Sequence, residues 1–354
     1  MRSRSPFKFY SEPMEFTLKD LTICIFTYER KFELERQVKF WSSTDAKVII
    51  LDASNQPAKI ANSPNLKYMH VPNMTILKRF LKFSEIADTK YVLLSPDDDY
   101  FALKGLSKTL KFLDTNLDFA SAQGVRVRFF DFPNFHWIPD YVKQRKLEFI
   151  EEEKVQRLNR MAGSMHYIYS VIRTSDFTKI VNCLHDVNTE KRDAVILAEL
   201  IFNYTLAILG KHTILPVFYS ARKAHPYMYG DIAFSNWIND NLDLDRNIFK
   251  INMENFYMRE IGSTRINASL IFSDLTKSFT IPKKFTALNS KNESKYGYVL
   301  KKIIFNSKFS GLHSFSKPTF FKFYFFLFRN SSLILFIIDL HFIKKFLKNN
   351  RIGS

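Results

Sequence analysis

Three consecutive carboxylates, Asp97-Asp98-Asp99, directly follow an apolar run that begins Tyr91-Val-Leu-Leu94. Adjacent carboxylates repel one another, so a fold that gathers them at a strand end needs a compensating cation. Residues i and i+2 of an extended segment point the same way. Asp97 and Asp99 are therefore expected to share one divalent ion and a phosphate attached to it, and their hard oxygens suit Mn²⁺ or Mg²⁺. Two further polar clusters also follow apolar runs: Thr27-Tyr28-Glu29 and Asp52-Ala53-Ser54. Asp52 can accept from a nucleobase or a ribose hydroxyl, Ser54 can bind phosphate or base, and the Tyr28 ring can stack on a base.

A different kind of carboxylate lies downstream. Glu199 is embedded in Ala194-Val-Ile-Leu-Ala-Glu-Leu-Ile-Phe202. Apolar surroundings raise a carboxyl pKa and suit it to general-base work. Asp193 stands at the expected start of the same helix, where a carboxylate can equally act as a cap or a dipole partner. Lys78, Arg79, Arg222 and Lys223 are candidates to hold phosphate charge, each equally readable as a solvated surface residue. His166 and His225 lack a paired-ligand spacing and read as structural. The sequence contains no Gly-rich phosphate loop, zinc spacing or serine-nucleophile motif.

The elements that must position these groups alternate. Leu21–Thr27, Lys47–Leu51, Leu66–Val71 and Tyr91–Leu94 are short apolar or β-branched runs, as buried strands should be. Between them, Glu29–Trp41 and Met74–Ala87 carry helix-spaced apolar residues, as does Leu103–Leu113 further on. Ala120–Phe130 and Thr213–Ala221 read as strands, and so does Tyr167–Ile172. Asp176–Leu184 and Asp193–Leu209 read as helices, the second stopped by Gly210. Phe132–Arg160 mixes aromatics, proline and charge and reads as a long insertion or lid. This alternation implies a mostly parallel sheet with helices on both faces. Such sheets bind ligands at the carboxyl ends of their strands, where all three polar clusters fall.

The runs Thr22-Ile-Cys-Ile-Phe-Thr-Tyr-Glu-Arg30, Val48-Ile-Ile-Leu-Asp-Ala-Ser54 and Tyr91-Val-Leu-Leu-Ser-Pro-Asp-Asp-Asp99 resemble the nucleotide-sugar half of GT-A glycosyltransferases. The likeness is greatest to the family-two-like inverting enzymes of bacterial surface-glycan assembly. The resemblance implies a GT-A-like, Rossmann-related α/β fold. It implies donor-nucleoside contacts from Tyr28 and Asp52 and metal–diphosphate contacts from Asp97 and Asp99. The full donor-binding set expected is Thr27, Tyr28, Asp52, Ser54, Lys78, Arg79, Asp97, Asp98 and Arg222. The family usually has Asn where this chain has Glu29, and its second motif is one residue longer than Asp52-Ala53-Ser54. The nucleotide's identity therefore does not transfer, and a CMP-type donor would need the metal less. An inverting transferase also needs a base in its acceptor half; Glu199 is preferred over Asp193. A nucleotidyltransferase with a carboxylate–metal site is the alternative enzyme reading, and a non-catalytic membrane- or nucleic-acid-binding protein the alternative from another class.

The chain has 354 residues, 46% hydrophobic and 25% charged, which permits a sizeable core. Two cysteines, Cys24 and Cys183, cannot build a disulfide framework and point to a reducing compartment. The formal charge is +17 and unevenly placed. Residues 261–354 hold 16 Lys and Arg against three acids, whereas residues 1–260 hold 36 against 32. The last stretch is also rich in Phe, notably between Phe320 and Phe328, and is broken by Lys322, Arg329 and Asp339. Such a segment is too interrupted to span a bilayer and suits an interfacial helix on anionic lipid. No signal-peptide pattern opens the sequence. These observations predict a catalytic domain over 1–260, with a nucleotide-sugar half at 20–130 and an acceptor half at 131–260. A helical, membrane-associating extension follows over 261–354. The expected partners are a nucleotide-sugar donor, a glycan or glycolipid acceptor and the anionic inner face of the cytoplasmic membrane. No nucleic-acid-binding module is recognisable.

Overall fold

A computed structural model describes residues 17–60, 63–130, 136–139, 148–161, 167–185, 194–223 and 242–277. Asp193, His166, His225 and the basic, aromatic stretch 278–354 lie outside the described residues.

The first strands are β1 (Leu21–Thr27), β2 (Lys47–Asp52), β3 (Leu66–His70) and β4 (Tyr91–Pro96), with α1 (Lys31–Trp41) and α2 (Ile76–Ile86) among them. They pair in parallel in the order β3-β2-β1-β4. Their near-continuous apolar sequence follows from burial on both faces. Cys24, Ile49, Leu51, Val92 and Leu94 enter one core, and Ile23, Ile25, Val48, Ile50 and Leu93 enter the other. After the acidic triplet come β5 (Tyr100–Phe101), α3 (Leu103–Thr115), β6 (Phe119–Phe130), β7 (His136–Pro139) and α4 (Lys154–Met161). The chain continues through β8 (Val171–Arg173), α5 (Thr174–His185), α6 (Ala194–Leu209) and β9 (Lys211–Lys223). β8 inserts antiparallel between β4 and β6, and β9 pairs in parallel with β6 and antiparallel with β5. Among the described residues the result is one 9-stranded mixed sheet whose long ladders are parallel. The expected α/β architecture, with helices on both faces, is what forms.

Two segments differ from the sequence-based expectation. Tyr167–Ile172 is not a strand throughout. Ser170 N–H donates to the Tyr167 carbonyl at 3.0 Å and its hydroxyl to the same oxygen at 2.5 Å, closing a turn. Only Val171–Arg173 is extended, because the chain must reverse there to run antiparallel to β4. Within Phe132–Arg160, the described parts are ordinary elements: β7 pairs with β6, and α4 buries Leu158 and Met161.

Beyond β9, α7 (Leu242–Ile261) packs on α6, with the Tyr204 and Phe249 rings 5.1 Å apart. α8 (Arg265–Lys277) then packs on α7 through Tyr257 and Phe272, whose centroids lie 5.8 Å apart. Ala268 and Phe272 thus extend the same core that holds α2, α5 and α6. On the opposite face α3 lies so close to β9 that a Cβ on Gly105 would stand 2.1 Å from the Phe218 carbonyl oxygen. Only glycine fits that contact, and it fixes β9, which carries Arg222 toward the site. Among the described residues no helix is long and apolar enough to cross a membrane.

Candidate active site

The carboxyl ends of β1, β2 and β4 meet at one place, and the polar clusters that follow them interlock. Thr27 Oγ1 donates to Asp97 Oδ2 at 2.9 Å. Arg30, at the turn into α1, forks across the triplet: Nη1 reaches Asp97 Oδ1 at 2.6 Å and Nη2 reaches Asp98 Oδ2 at 2.7 Å. Asp99 turns elsewhere. Its Oδ1 accepts from Lys223 N–H on β9 at 3.0 Å, and its carbonyl accepts from Gln37 Nε2 of α1 at 2.6 Å. Trp41 Nε1 donates in turn to Gln37 Oε1 at 3.0 Å, so the amide's orientation is fixed.

The triplet is not extended. β4 stops at Pro96 and the chain turns at Asp97-Asp98, so side-chain alternation does not hold. Asp97 faces β1 and Asp99 faces β9, so these two carboxylates do not aim at one shared ion as the alternation predicted. All three carboxylates are buried. Burial pushes Asp97 up to about 6, with Arg30 pulling the other way. Burial and the Asp98 charge push Asp99 up to about 8, against the pull of Arg222 and Arg126. The donor set chemically fits Mg²⁺ or Mn²⁺, because it consists of hard carboxylate oxygens concentrated at one turn. The Arg30 guanidinium stands there as an internal cation. Among the described residues no three His, Cys, Asp or Glu side chains converge as a preformed metal cluster.

Asp52 and Ser54 organise the neighbouring loop. Ser54 N–H donates to Asp52 Oδ1 at 2.9 Å, and the Tyr68 hydroxyl donates to Oδ2 at 2.7 Å while accepting from Ala58 N–H at 2.8 Å. Burial works to raise the Asp52 carboxyl, but the bonds from Ser54 and Tyr68 outweigh it and hold it below the ordinary value. Asp52 is only 1% exposed, so its carboxylate shapes the loop rather than facing solvent. Ser54 Oγ accepts from Glu29 N–H at 2.8 Å, and Glu29 Oε1 accepts from Asn55 N–H at 2.8 Å. These bonds hold Glu29 at φ 54°, a left-handed conformation that Asn adopts more readily than Glu. Tyr28 beside it is 55% exposed and free to meet a flat ligand.

The basic residues divide. Arg79 Nη1 donates to the Thr27 carbonyl at 3.1 Å, and its guanidinium lies 5.4 Å from the Phe26 ring centroid. It satisfies a backbone carbonyl at the end of β1, and burial lowers its pKa. Lys78 is exposed, and its backbone N–H is bonded by the Thr75 cap at 3.4 Å. Arg222 lies 5.9 Å from the Tyr169 ring centroid, on the side of Asp99 and Glu199.

A pocket of about 200 Å³ opens beneath the triplet. Phe26, Phe80, Leu94 and Ile168 form apolar walls; Asp97 lines it from the turn after β4 and Glu199 from α6, beside Tyr169 and Ala198. α6 is apolar nearly all round because both of its sides are covered, and Glu199 is the acidic residue that its sequence places against the cavity. Burial pushes the Glu199 carboxyl up to about 7, with Arg222 opposing. Of the expected site residues, Thr27, Asp97, Asp98 and Glu199 are thus brought to one region, with Asp99 and Arg222 on its far flank. The sequence reading missed Arg30, Gln37, Tyr68 and Tyr169. Arg30 falls inside the first motif run; the other three carried no local signal.

No protein-family model matches this sequence, and no curated protein matches it. Among solved structures, the chain is similar to residues 1–349 of S. aureus TarS in complex with UDP-GlcNAc. Identity there is 14%, 79% of this chain and 78% of that chain are covered, and the TM-score is 0.49. The same fragment in complex with UDP gives 14% identity, 79% and 78% coverage and a TM-score of 0.45. A longer S. aureus TarS structure gives 13% identity, with 76% of this chain and 50% of that chain covered and a TM-score of 0.37. Overlaps of this extent leave function to be read from this chain's own residues.

Proposed function

We propose that the protein is a glycosyltransferase that moves a sugar from a nucleotide-activated donor to a hydroxyl of a growing, lipid-linked surface glycan, with inversion. One observation carries the reading: Asp97 of the acidic triplet and Glu199, a carboxyl with a pKa pushed up to about 7, line the same pocket. At about 200 Å³ the pocket is smaller than the ~300–1,000 Å³ of typical ligand clefts. It takes one sugar-sized group, and the nucleotide lies outside it over the β1–α1 turn, where Tyr28 is exposed.

In this reading Glu199 takes the proton from the acceptor hydroxyl. The acceptor oxygen forms its bond to the anomeric carbon while the bond from that carbon to the donor phosphate breaks on the opposite face. Asp97 and Asp98, the two carboxylates that Arg30 bridges, would hold a divalent cation when one is bound, and that ion would neutralise the leaving diphosphate. Arg222 adds positive charge beside Glu199 and Asp99. The apolar walls exclude water, which limits hydrolysis of the donor. The basic, aromatic extension holds the enzyme at the inner face of the cytoplasmic membrane, where a lipid-linked acceptor resides.

The test is a panel of sugar nucleotides incubated with and without Mn²⁺. Sugar release or transfer from one donor, lost in Glu199→Gln, is the expected result. No turnover and no binding across nucleoside diphosphate and CMP-activated sugars would overturn the reading.

A further inference from the structure

The acidic triplet already contains a cation. Arg30 contributes both guanidinium nitrogens, one to Asp97 at 2.6 Å and one to Asp98 at 2.7 Å. These are short charge-assisted bonds, and the fork spans two carboxylates in a way that a lysine cannot copy. The partners differ in access. The Arg30 side chain is 36% exposed, against 5% for Asp97 and 9% for Asp98. A ligand arriving from solvent therefore meets the guanidinium first.

The stem of Arg30 is fixed while its head is reachable. Glu29 is locked at φ 54° by its bonds to Ser54 and Asn55, and the Arg30 carbonyl accepts from Leu34 N–H at 3.0 Å to begin α1. The guanidinium thus pivots from a rigid turn at the carboxyl ends of β1 and β2, the place where such sheets bind ligands. Asp99 is handled separately: Lys223 N–H, Arg222 and Arg126 act on it from β6 and β9. Arg30 and a divalent ion consequently seek the same two carboxylates.

We propose that Arg30 is an interchangeable occupant of the cation position: it competes with a divalent ion for Asp97 and Asp98, and the ion's arrival transfers the guanidinium to the donor's diphosphate. Without ligand, the guanidinium keeps the buried carboxylates paired. With ion and donor, the same fork meets phosphate oxygens, for which its geometry is equally suited. Arg30 is thereby a donor-binding residue of the proposed transferase, and the inference rests on that reading only for the identity of the phosphate ligand.

The experiment titrates Mn²⁺ into the full chain by electron paramagnetic resonance, with no nucleotide present, for wild type, R30A and R30K. R30A should bind Mn²⁺ about ten-fold or more tightly than wild type, the weight of one charge-assisted bond removed from the competitor. R30K should fall between them. Inorganic pyrophosphate, added at saturating Mn²⁺, should then bind R30A more weakly than wild type. Near-ultraviolet circular dichroism checks the fold, and if R30A does not fold the comparison is made on R30K, which keeps a charge at the site. Mn²⁺ affinity that is unchanged or lower in the folded variant overturns the exchange, as does undiminished pyrophosphate binding. If the Mn²⁺ and pyrophosphate results are as expected but no sugar nucleotide is turned over, the transferase reading fails and the exchange stands.

Discussion

Replacing Glu199 by Gln separates its chemical role from its structural cost. Glu199 lines the pocket together with Phe80, Ile168 and Ala198, and burial moves its pKa from the ordinary 4.5 up to about 7. As a base it must be ionised, so turnover should rise about ten-fold between pH 6 and the plateau above pH 8. Gln cannot take a proton, and kcat should fall by about 100-fold or more. Folding should respond in the opposite direction. Because the folded pKa is the higher one, the folded state binds the proton more tightly. That stability is fully present below the unfolded pKa of 4.5 and is lost as pH rises through about 7. The step from 4.5 to about 7 corresponds to about 3 kcal/mol. Glu199→Gln should therefore stabilise the protein by up to about 3 kcal/mol at pH 8 and by under about 1 kcal/mol at pH 5. Urea unfolding at the two pH values, alongside the pH–rate profile, reads both effects. A flat rate between pH 6 and 8 would refute the reasoning, as would a variant that unfolds more easily at pH 8. Near-normal turnover in a stabilised variant would move the base to Asp193.

Three further outcomes are expected. Asp98→Asn leaves the Arg30–Asp97 pair in place and should fold normally while losing Mn²⁺-dependent nucleotide binding; equal binding in EDTA, measured by calorimetry, would remove the metal role. Tyr68→Phe deletes the hydroxyl that bonds both Asp52 and Ala58 N–H, so it should cost about 1–3 kcal/mol in thermal or urea unfolding and loosen the loop after β2. An unchanged stability would show that water replaces it. Deleting the residues after Lys317 should abolish salt-sensitive flotation with anionic liposomes yet preserve transfer to a soluble acceptor. Full-length protein that ignores anionic liposomes would show that the extension is not a membrane anchor.

Much of the frame follows from local pattern. β1, β2 and β4 are legible because strands buried on both faces must be apolar along their whole length, and α2 because its apolar residues recur at helical spacing. Tyr167–Ile172 misleads because a β-branched and aromatic run fits a strand and a buried turn equally well. The turn closed by Ser170 on Tyr167 precedes the three residues that pair with β4.

The site divides along the same line. The sequence by itself determines that carboxylates and hydroxyls follow the strands, since a parallel sheet brings its carboxyl ends together whatever the loops do. It also determines that Glu199 is the acid of an apolar helix; the burial that raises its pKa comes from the packing around that helix. Partner choice is a different matter. Arg30 and Asp97 are bonded at |i−j| = 67, and Lys223 and Asp99 at |i−j| = 124. Periodicity has no term for such distances. The turn at Asp97-Asp98 breaks the alternation that would have aimed Asp97 and Asp99 together, and only the placement of β9 beside β5 and β6 sends Asp99 the other way. Side-chain identity sets which groups are available; the packing of strands far apart in sequence decides which of them meet. That is why the acidic triplet is visible in the chain, whereas the cation lodged in it is visible only in the fold.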